Sequence, residues 1–395
     1  MMELTSFDKE TIPMPSSFIR YPKSLSVAMK LGLVVGIFLF AASCSAGSRP
    51  AETVVEADVG YAPDPAAADM VRQLRENRRP NAYLTDVYEP LTVIDIHNHD
   101  AHTNDPAGWW GAQGMDRLVL FGDVSEPSAQ MTDAMAWGHY RSNPERIYPS
   151  FAGFPVYDEE GPRIVERKLE QGYLAIGEVV AASTASPVVS QVEWKAQHPN
   201  DGHLPDIYEL AAVYKAPILL HIDPPNGMPI SYFVRALREH PDTIFVFAHA
   251  NVFNPPSHVE GMIKEFPNLY IDFCPGFTAY DPGSGNKLED FVPLIESYPD
   301  RFFLSTDGGY GIGKTRAAYA MFEIIDLLSP ETAVKVAYQN YERLIEQQPP
   351  TKTQIAKIKE LSAKLDEPKR YSLNKRKANE LIFELERRVE GLGGS

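Results

Sequence analysis

Cysteine is nearly absent: Cys44 and Cys274 are the only two in 395 residues. So few exclude a disulfide framework and a cysteine-based zinc site. Positive charge is also short, with 37 Lys and Arg against 53 Asp and Glu, a net charge of −16. Such a surface repels nucleic acid and anionic membrane, so neither is an expected partner. Long hydrophobic runs are missing too. The one candidate, Leu31–Phe40, is too short to span a bilayer as a mature helix. No Gly-x-Gly-x-x-Gly follows a strand-like segment, which argues against a doubly wound dinucleotide-binding sheet. What remains is an ordinary globular composition, 44% hydrophobic and 23% charged, enough for one large domain or two medium ones.

The N-terminus reads as targeting rather than fold. Lys30 precedes the apolar run, and Ala41-Ala42-Ser43-Cys44 follows it. Charge, apolar stretch and small residues make a secretory signal over residues 1–44. Its end resembles a bacterial lipobox, with Cys44 lipidated. Met29 opens a signal of normal length, so residues 1–28 need not be translated. Ser45, rather than Asp, after the cysteine points to the outer membrane. The expectation is a periplasmic protein held to the membrane by its lipid anchor alone. Residues 45–88 then supply a polar tether and a leading helix over Ala66–Arg78.

Residues 89–347 carry a repeating rhythm. Apolar runs near residues 92–99, 118–121, 146–151, 173–180, 217–222, 243–249, 269–273 and 301–307 read as strands, most of them separated by helical periodicity. Continuously apolar strands are buried on both faces, so the eight predict a parallel (β/α)₈ TIM barrel. Residues 181–205 form a polar insertion after the fourth strand. Beyond Pro349-Pro350, residues 348–395 are a basic helical extension. In it Ile355, Ile358, Leu361 and Leu365, then Ala378, Leu381, Ile382, Leu385 and Val389, recur at helical spacing. These stripes are expected to lie on the barrel rather than on a partner.

The chemistry gathers at strand ends. In Ile94-Asp95-Ile96-His97-Asn98-His99 the two histidines are two residues apart, and alternation along a strand puts them on one side. Glu178, His221, His249 and Asp307 end the fourth, fifth, sixth and eighth strands. His221 and His249 are one βα unit of roughly 30 residues apart, and His249 and Asp307 two. A barrel collects the C-terminal ends of its strands on its active face, so these residues converge. Imidazole and carboxylate together suit zinc, with manganese or iron able to accept the same donors. Bound metal acidifies water, and Asp307 is the candidate proton acceptor. Glu178 is a candidate bridge between two ions. Taken singly, His221 reads equally as a satisfied core histidine and Asp307 as the start of a turn; together, in register, they do not. His139, His198, His203, His240 and His258 fall in loops or helices and are given no ligand role. Trp109, Trp110 and His102, just after the first strand, are candidates for lining a substrate pocket.

These segments resemble the amidohydrolase superfamily. The likeness rests on Val93-Ile94-Asp95-Ile96-His97-Asn98-His99, Leu219-Leu220-His221, Phe247-Ala248-His249 and Leu304-Ser305-Thr306-Asp307. Asn143-Pro144-Glu145-Arg146, Phe266-Pro267-Asn268-Leu269 and Tyr338-Gln339-Asn340-Tyr341-Glu342 look like the amidohydrolase-2 branch, which holds lactonases and non-oxidative decarboxylases. The resemblance runs from about residue 90 to 346. It implies metal held by His97, His99 and His221, Asp307 as ligand and proton acceptor, and His249 on a second metal or on the substrate. Gly177-Glu178 looks instead like the strand-four glutamate of TatD-type hydrolases, which joins a two-metal site. Ser305-Thr306-Asp307-Gly308-Gly309 departs from the branch's usual Gly-Ser-Asp followed by an aromatic residue and proline.

The sequence therefore predicts a metal-dependent hydrolase acting on a small ester, lactone, amide or phosphoester, with one or two divalent ions, zinc first. A mononuclear decarboxylase and a periplasmic binding protein on the same barrel are its rivals. Substrate identity and self-association are left open.

Overall fold

Val, Ile, Leu and Phe dominate eight short parallel strands. The computed structural model describes residues 61–224, 228–368 and 373–393. The expected signal segment with Cys44 and the expected tether, up to residue 60, lie outside the described residues. The strands are β1 Ile94–Asn98, β2 Arg117–Leu120, β3 Ile147–Pro149, β4 Ile176–Ala182, β5 Ile218–Ile222, β6 Phe245–Phe247, β7 Leu269–Phe273 and β8 Phe302–Leu304. Every residue in them except Arg117 is buried. A parallel strand covered by helices outside and side chains inside requires this, which is why the runs are continuously apolar rather than alternating.

β1-β2-β3 form one hydrogen-bonded ladder and β4-β5-β6-β7-β8 another, all pairs parallel. Shorter links bridge the two seams. Between β3 and β4, Leu174 N donates to Pro149 O at 3.0 Å and Gly177 N to Phe151 O at 2.8 Å. Between β8 and β1, Thr306 donates its N–H and its hydroxyl to the Asp95 carboxylate at 3.0 and 2.5 Å. The result is a (β/α)₈ barrel. Helices Ala129–Ser142, Glu160–Gln171, Leu204–Tyr214, Met228–Glu239, Pro256–Glu265, Leu288–Ser297 and Lys314–Leu327 follow β2 to β8 in turn. The helix after β7 is the one that sequence periodicity left unassigned. It buries Leu288, Phe291, Leu294 and Ile295, and Pro293 inside it obscures the helical signal.

The leading helix spans Pro65–Glu76, capped by the Asp64 carboxylate accepting from Ala66 N and Ala67 N. The extension forms helices Lys352–Lys364 and Lys375–Gly393. Ile358, Leu361, Ala378, Leu381, Ile382 and Leu385 are buried as expected, whereas Ile355 is 48% exposed. Burial of each large side chain contributes roughly 1.5–3 kcal/mol. Gln348 Nε2 donates to Leu174 O at 2.7 Å and Asn379 Nδ2 to Gly172 O at 2.9 Å, which ties the extension to the segment leading into β4. Gly172 has φ 117°, and a Cβ there would meet Asn379 Oδ1 at 2.3 Å, so this contact requires glycine. Among the described residues no helix is long and apolar enough to cross a membrane.

Candidate metal centre

The strands deliver their polar residues to one end of the barrel. His97 lies in β1 and His99 one residue past it; Glu178 lies in β4 and His221 in β5. His249 and Asp307 follow β6 and β8 at φ 34° and 50°. Left-handed backbone costs a non-glycine residue about 1–3 kcal/mol and recurs where a side chain must be aimed at a site. Asp307 also begins a short 3₁₀ turn, Asp307–Gly309, so it is both the turn residue and a member of the cluster.

Two donor groups share one carboxylate. His97 Nε2 and His99 Nε2 are 3.1 Å apart. Asp307 Oδ1 stands 3.3 and 3.1 Å from them, and Glu178 Oε2 stands 3.6 Å from each. On the other side Glu178 Oε1 is 3.0 Å from His221 Nδ1 and 3.1 Å from His249 Nε2, which are 3.1 Å from each other. Ligand atoms about 2.0–2.1 Å from a tetrahedral zinc lie about 3.3–3.4 Å from one another. Both groups match that spacing, the first with four donors and the second with three. His97–His99–Glu178 and Glu178–His221–His249 each have donors within 4.8 Å of one another.

Hydrogen bonds turn the bare imidazole nitrogens inward. His97 Nδ1 donates to Asp272 Oδ2 at 2.7 Å and His99 Nδ1 to Gly122 O at 2.8 Å, which turns both Nε2 atoms toward the centre. His221 is reversed: its Nε2 donates to Asp223 Oδ2 at 2.6 Å and Nδ1 faces inward. Outer acceptors that fix a ligand's tautomer are the usual support of a metal-binding histidine. Asp272 also accepts from His249 N at 3.0 Å, linking two of the ligands.

Electrostatics point the same way. Burial pushes the Glu178 carboxyl up, but His97, His221 and His249 outweigh it and hold it well below the carboxylate range. Burial likewise raises Asp307, and His97 and His99 bring it below its ordinary value. Burial lowers His97, yet the charges of Asp307, Glu178 and Asp272 leave it well above the ordinary imidazole range. His221 is pushed up to about 9, Asp223 and Glu178 outweighing burial. The ion-pair partners of Glu178 and Asp307 among the described residues are all histidines. Carboxylates and imidazole nitrogens turned inward are donors that a divalent cation can take in place of protons.

His97, Glu178, His221 and His249 are buried. His99 and Asp307 keep 28% and 12% of their side chains exposed and so face the entrance. Phe121 closes against His97 and His99, with ring centroids 5.3 and 4.6 Å away, and Phe277 stands edge-on to His249.

The pocket-lining candidates separate. Trp110 is fully buried and donates Nε1 to Asp100 Oδ2 at 2.6 Å, so it is a core residue with no face for a substrate. Trp109 is 42% exposed, beneath the Lys314 ammonium at 5.4 Å. His102 ends the turn Asp100–His102, exposed to solvent. Three residues escaped sequence reasoning: Asp95, Asp223 and Asp272. Asp95 stands two residues before a histidine ligand in β1, Asp223 follows β5 two residues after another, and Asp272 is the one acid in β7.

Comparison with known proteins identifies the family. The amidohydrolase-2 family model, described as Amidohydrolase, matches residues 94–345. No curated protein matches the chain. Solved structures similar to it include an uncharacterised TIM-barrel protein of Bordetella bronchiseptica, 15% identical with TM-score 0.49, covering 64% of this chain and 98% of that one. A 2,6-dihydroxybenzoate decarboxylase from Rhizobium is 14% identical with TM-score 0.43, covering 64% and 98%. A dihydroxybenzoic acid decarboxylase from Polaromonas sp. JS666, with bound manganese, is 15% identical with TM-score 0.41, covering 64% and 96%. The family match covers the whole barrel and every residue of both donor groups, and the chain belongs to the amidohydrolase family.

Proposed function

We propose that the protein is a hydrolase that directs water at a small ester, lactone, amide or phosphoester, with two divalent ions, zinc first, sharing Glu178. The observation that carries this is the division of Glu178: Oε2 faces His97 and His99, Oε1 faces His221 and His249, and among the described residues no lysine or arginine pairs with it. The ions, when bound, acidify water and polarise the substrate's carbonyl or phosphoryl group. The chain does the rest. Asp307, at the entrance and anionic, takes the proton from water and can return it to the leaving group. Phe121, fully buried against His97 and His99, limits solvent on that side of the imidazoles. Trp109, 42% exposed beneath the Lys314 ammonium, is left as the aromatic candidate for substrate contact. Four imidazoles and two carboxylates suit zinc, and manganese or iron accept the same donors.

One observation favours a second reading. His97, His99, Asp307 and Glu178 alone make a four-donor group, so a single ion would serve a decarboxylase and leave His221 and His249 for the substrate. Against it, that reading expects a lysine or arginine on Glu178. Glu178→Gln separates the two. The binuclear hydrolase loses one ion and at least about tenfold in hydrolytic rate, because the clamp is broken. Unchanged metal content with unchanged rate contradicts it. The same proposal includes location: the lipobox at Cys44 anchors the protein at the periplasmic outer membrane. Membrane fractionation of the wild type against Cys44→Ala tests it, and a wholly soluble wild type contradicts it.

A further inference from the structure

Asp223 belongs to neither donor group, yet it is buried and each of its oxygens is engaged twice. Oδ2 accepts from His221 Nε2 and from Ser183 Oγ, both at 2.6 Å. Oδ1 accepts from Thr184 N at 2.8 Å and Ala185 N at 2.7 Å. The loop leaving β4 therefore clamps the carboxylate and sets it against the histidine of β5. An ionised carboxylate only accepts, so once His221 keeps a single proton, as a metal ligand must, Asp223 holds that proton on Nε2 and leaves Nδ1 for the ion. His97 needs the opposite tautomer, with Nδ1 protonated by its bond to Asp272. One centre thus needs two tautomers, and each is dictated by its own acceptor.

We propose that Asp223 is a positioning residue that selects the His221 tautomer and so makes His221 a metal ligand through Nδ1. This rests on the metal-dependent reading above. The clamp gives the proposal an unusual signature. In Asp223→Asn the two backbone donors, Thr184 N and Ala185 N, hold the amide oxygen at the Oδ1 place. The amide nitrogen then takes the Oδ2 place and donates to His221 Nε2. That drives the imidazole proton onto Nδ1, the atom meant for the ion. Asp223→Ala leaves Nε2–H free to bond to water and the tautomer free to adjust. The isosteric variant is therefore the more damaging one. A merely structural carboxylate gives the reverse order.

The test is zinc affinity of the full protein by chelator competition, with zinc counted per chain and metal-free melting temperature as the control for folding. Asp223→Asn should bind zinc at the His221 side about 10–100-fold more weakly than wild type, and more weakly than Asp223→Ala. Wild-type affinity in Asp223→Asn, or a larger loss in Asp223→Ala, overturns the proposal. The zinc-loaded wild type provides an arm independent of any variant. Its long-range ¹H–¹⁵N spectrum should show the His221 proton on Nε2; a proton on Nδ1 overturns the proposal. A wild type that takes up no zinc overturns this inference and the proposed function together, whereas zinc uptake with an unaffected Asp223→Asn overturns this inference alone.

Discussion

Thr306, just past β8, gives both its backbone N–H and its hydroxyl to Asp95 on β1. Asp95 also accepts from His97 N at 3.2 Å and Asn98 Nδ2 at 2.8 Å. One buried carboxylate thus joins the last strand to the first directly beneath the metal centre. Thr306→Val removes one donor and leaves a buried acceptor short, at a cost of about 1–3 kcal/mol. Asp95→Asn should cost more, because all four partners are donors and an amide nitrogen would face two of them. Urea denaturation of both variants checks the order.

Lys375 presents the opposite case, a buried cation with no hydrogen-bond partner at Nζ among the described residues, 5.3 Å above the Tyr214 ring. Burial pushes its pKa down to about 7, and the charge of Glu170 only partly offsets this. In the unfolded chain the amine titrates near 10.5. Between these values the unfolded state holds more protons, so the group's contribution makes stability rise with pH from about 7 toward 10. Lys375→Met should raise the unfolding free energy at pH 7 by about 1–3 kcal/mol and flatten that rise. Thermal melts from pH 6 to 10 measure both.

Zinc uptake should release protons. Carboxylates facing His97 and His221 keep these imidazoles protonated in the metal-free protein, His221 up to about 9. A metal ligand must be deprotonated, so affinity should rise with pH between about 6 and 9. Calorimetry in buffers of different ionisation enthalpy should show about one proton or more released per ion at pH 7. A pH-independent affinity contradicts the assigned ligands.

Much of this was legible in the chain because a parallel barrel writes its register into sequence. Buried strands are apolar to their ends, so His97, Glu178, His221, His249 and Asp307 stood out as polar interruptions at strand ends, whole βα units apart. What sequence did not yield lay in interactions rather than spacing. Asp272 reads as one acid in an apolar strand until His97 is seen to donate to it. Asp223 reads as the start of a loop, since its meaning depends on Ser183, Thr184 and Ala185 arriving from another strand. Trp109 and Trp110 are identical neighbours in sequence. Only helix phase decides that Trp110 turns into the core and Trp109 toward solvent.

Whether two ions share Glu178 is read from elemental analysis of the purified, zinc-reconstituted protein. The wild type should hold two ions per chain and Glu178→Gln one. A wild type holding a single ion, with Glu178→Gln holding the same, would contradict the sharing.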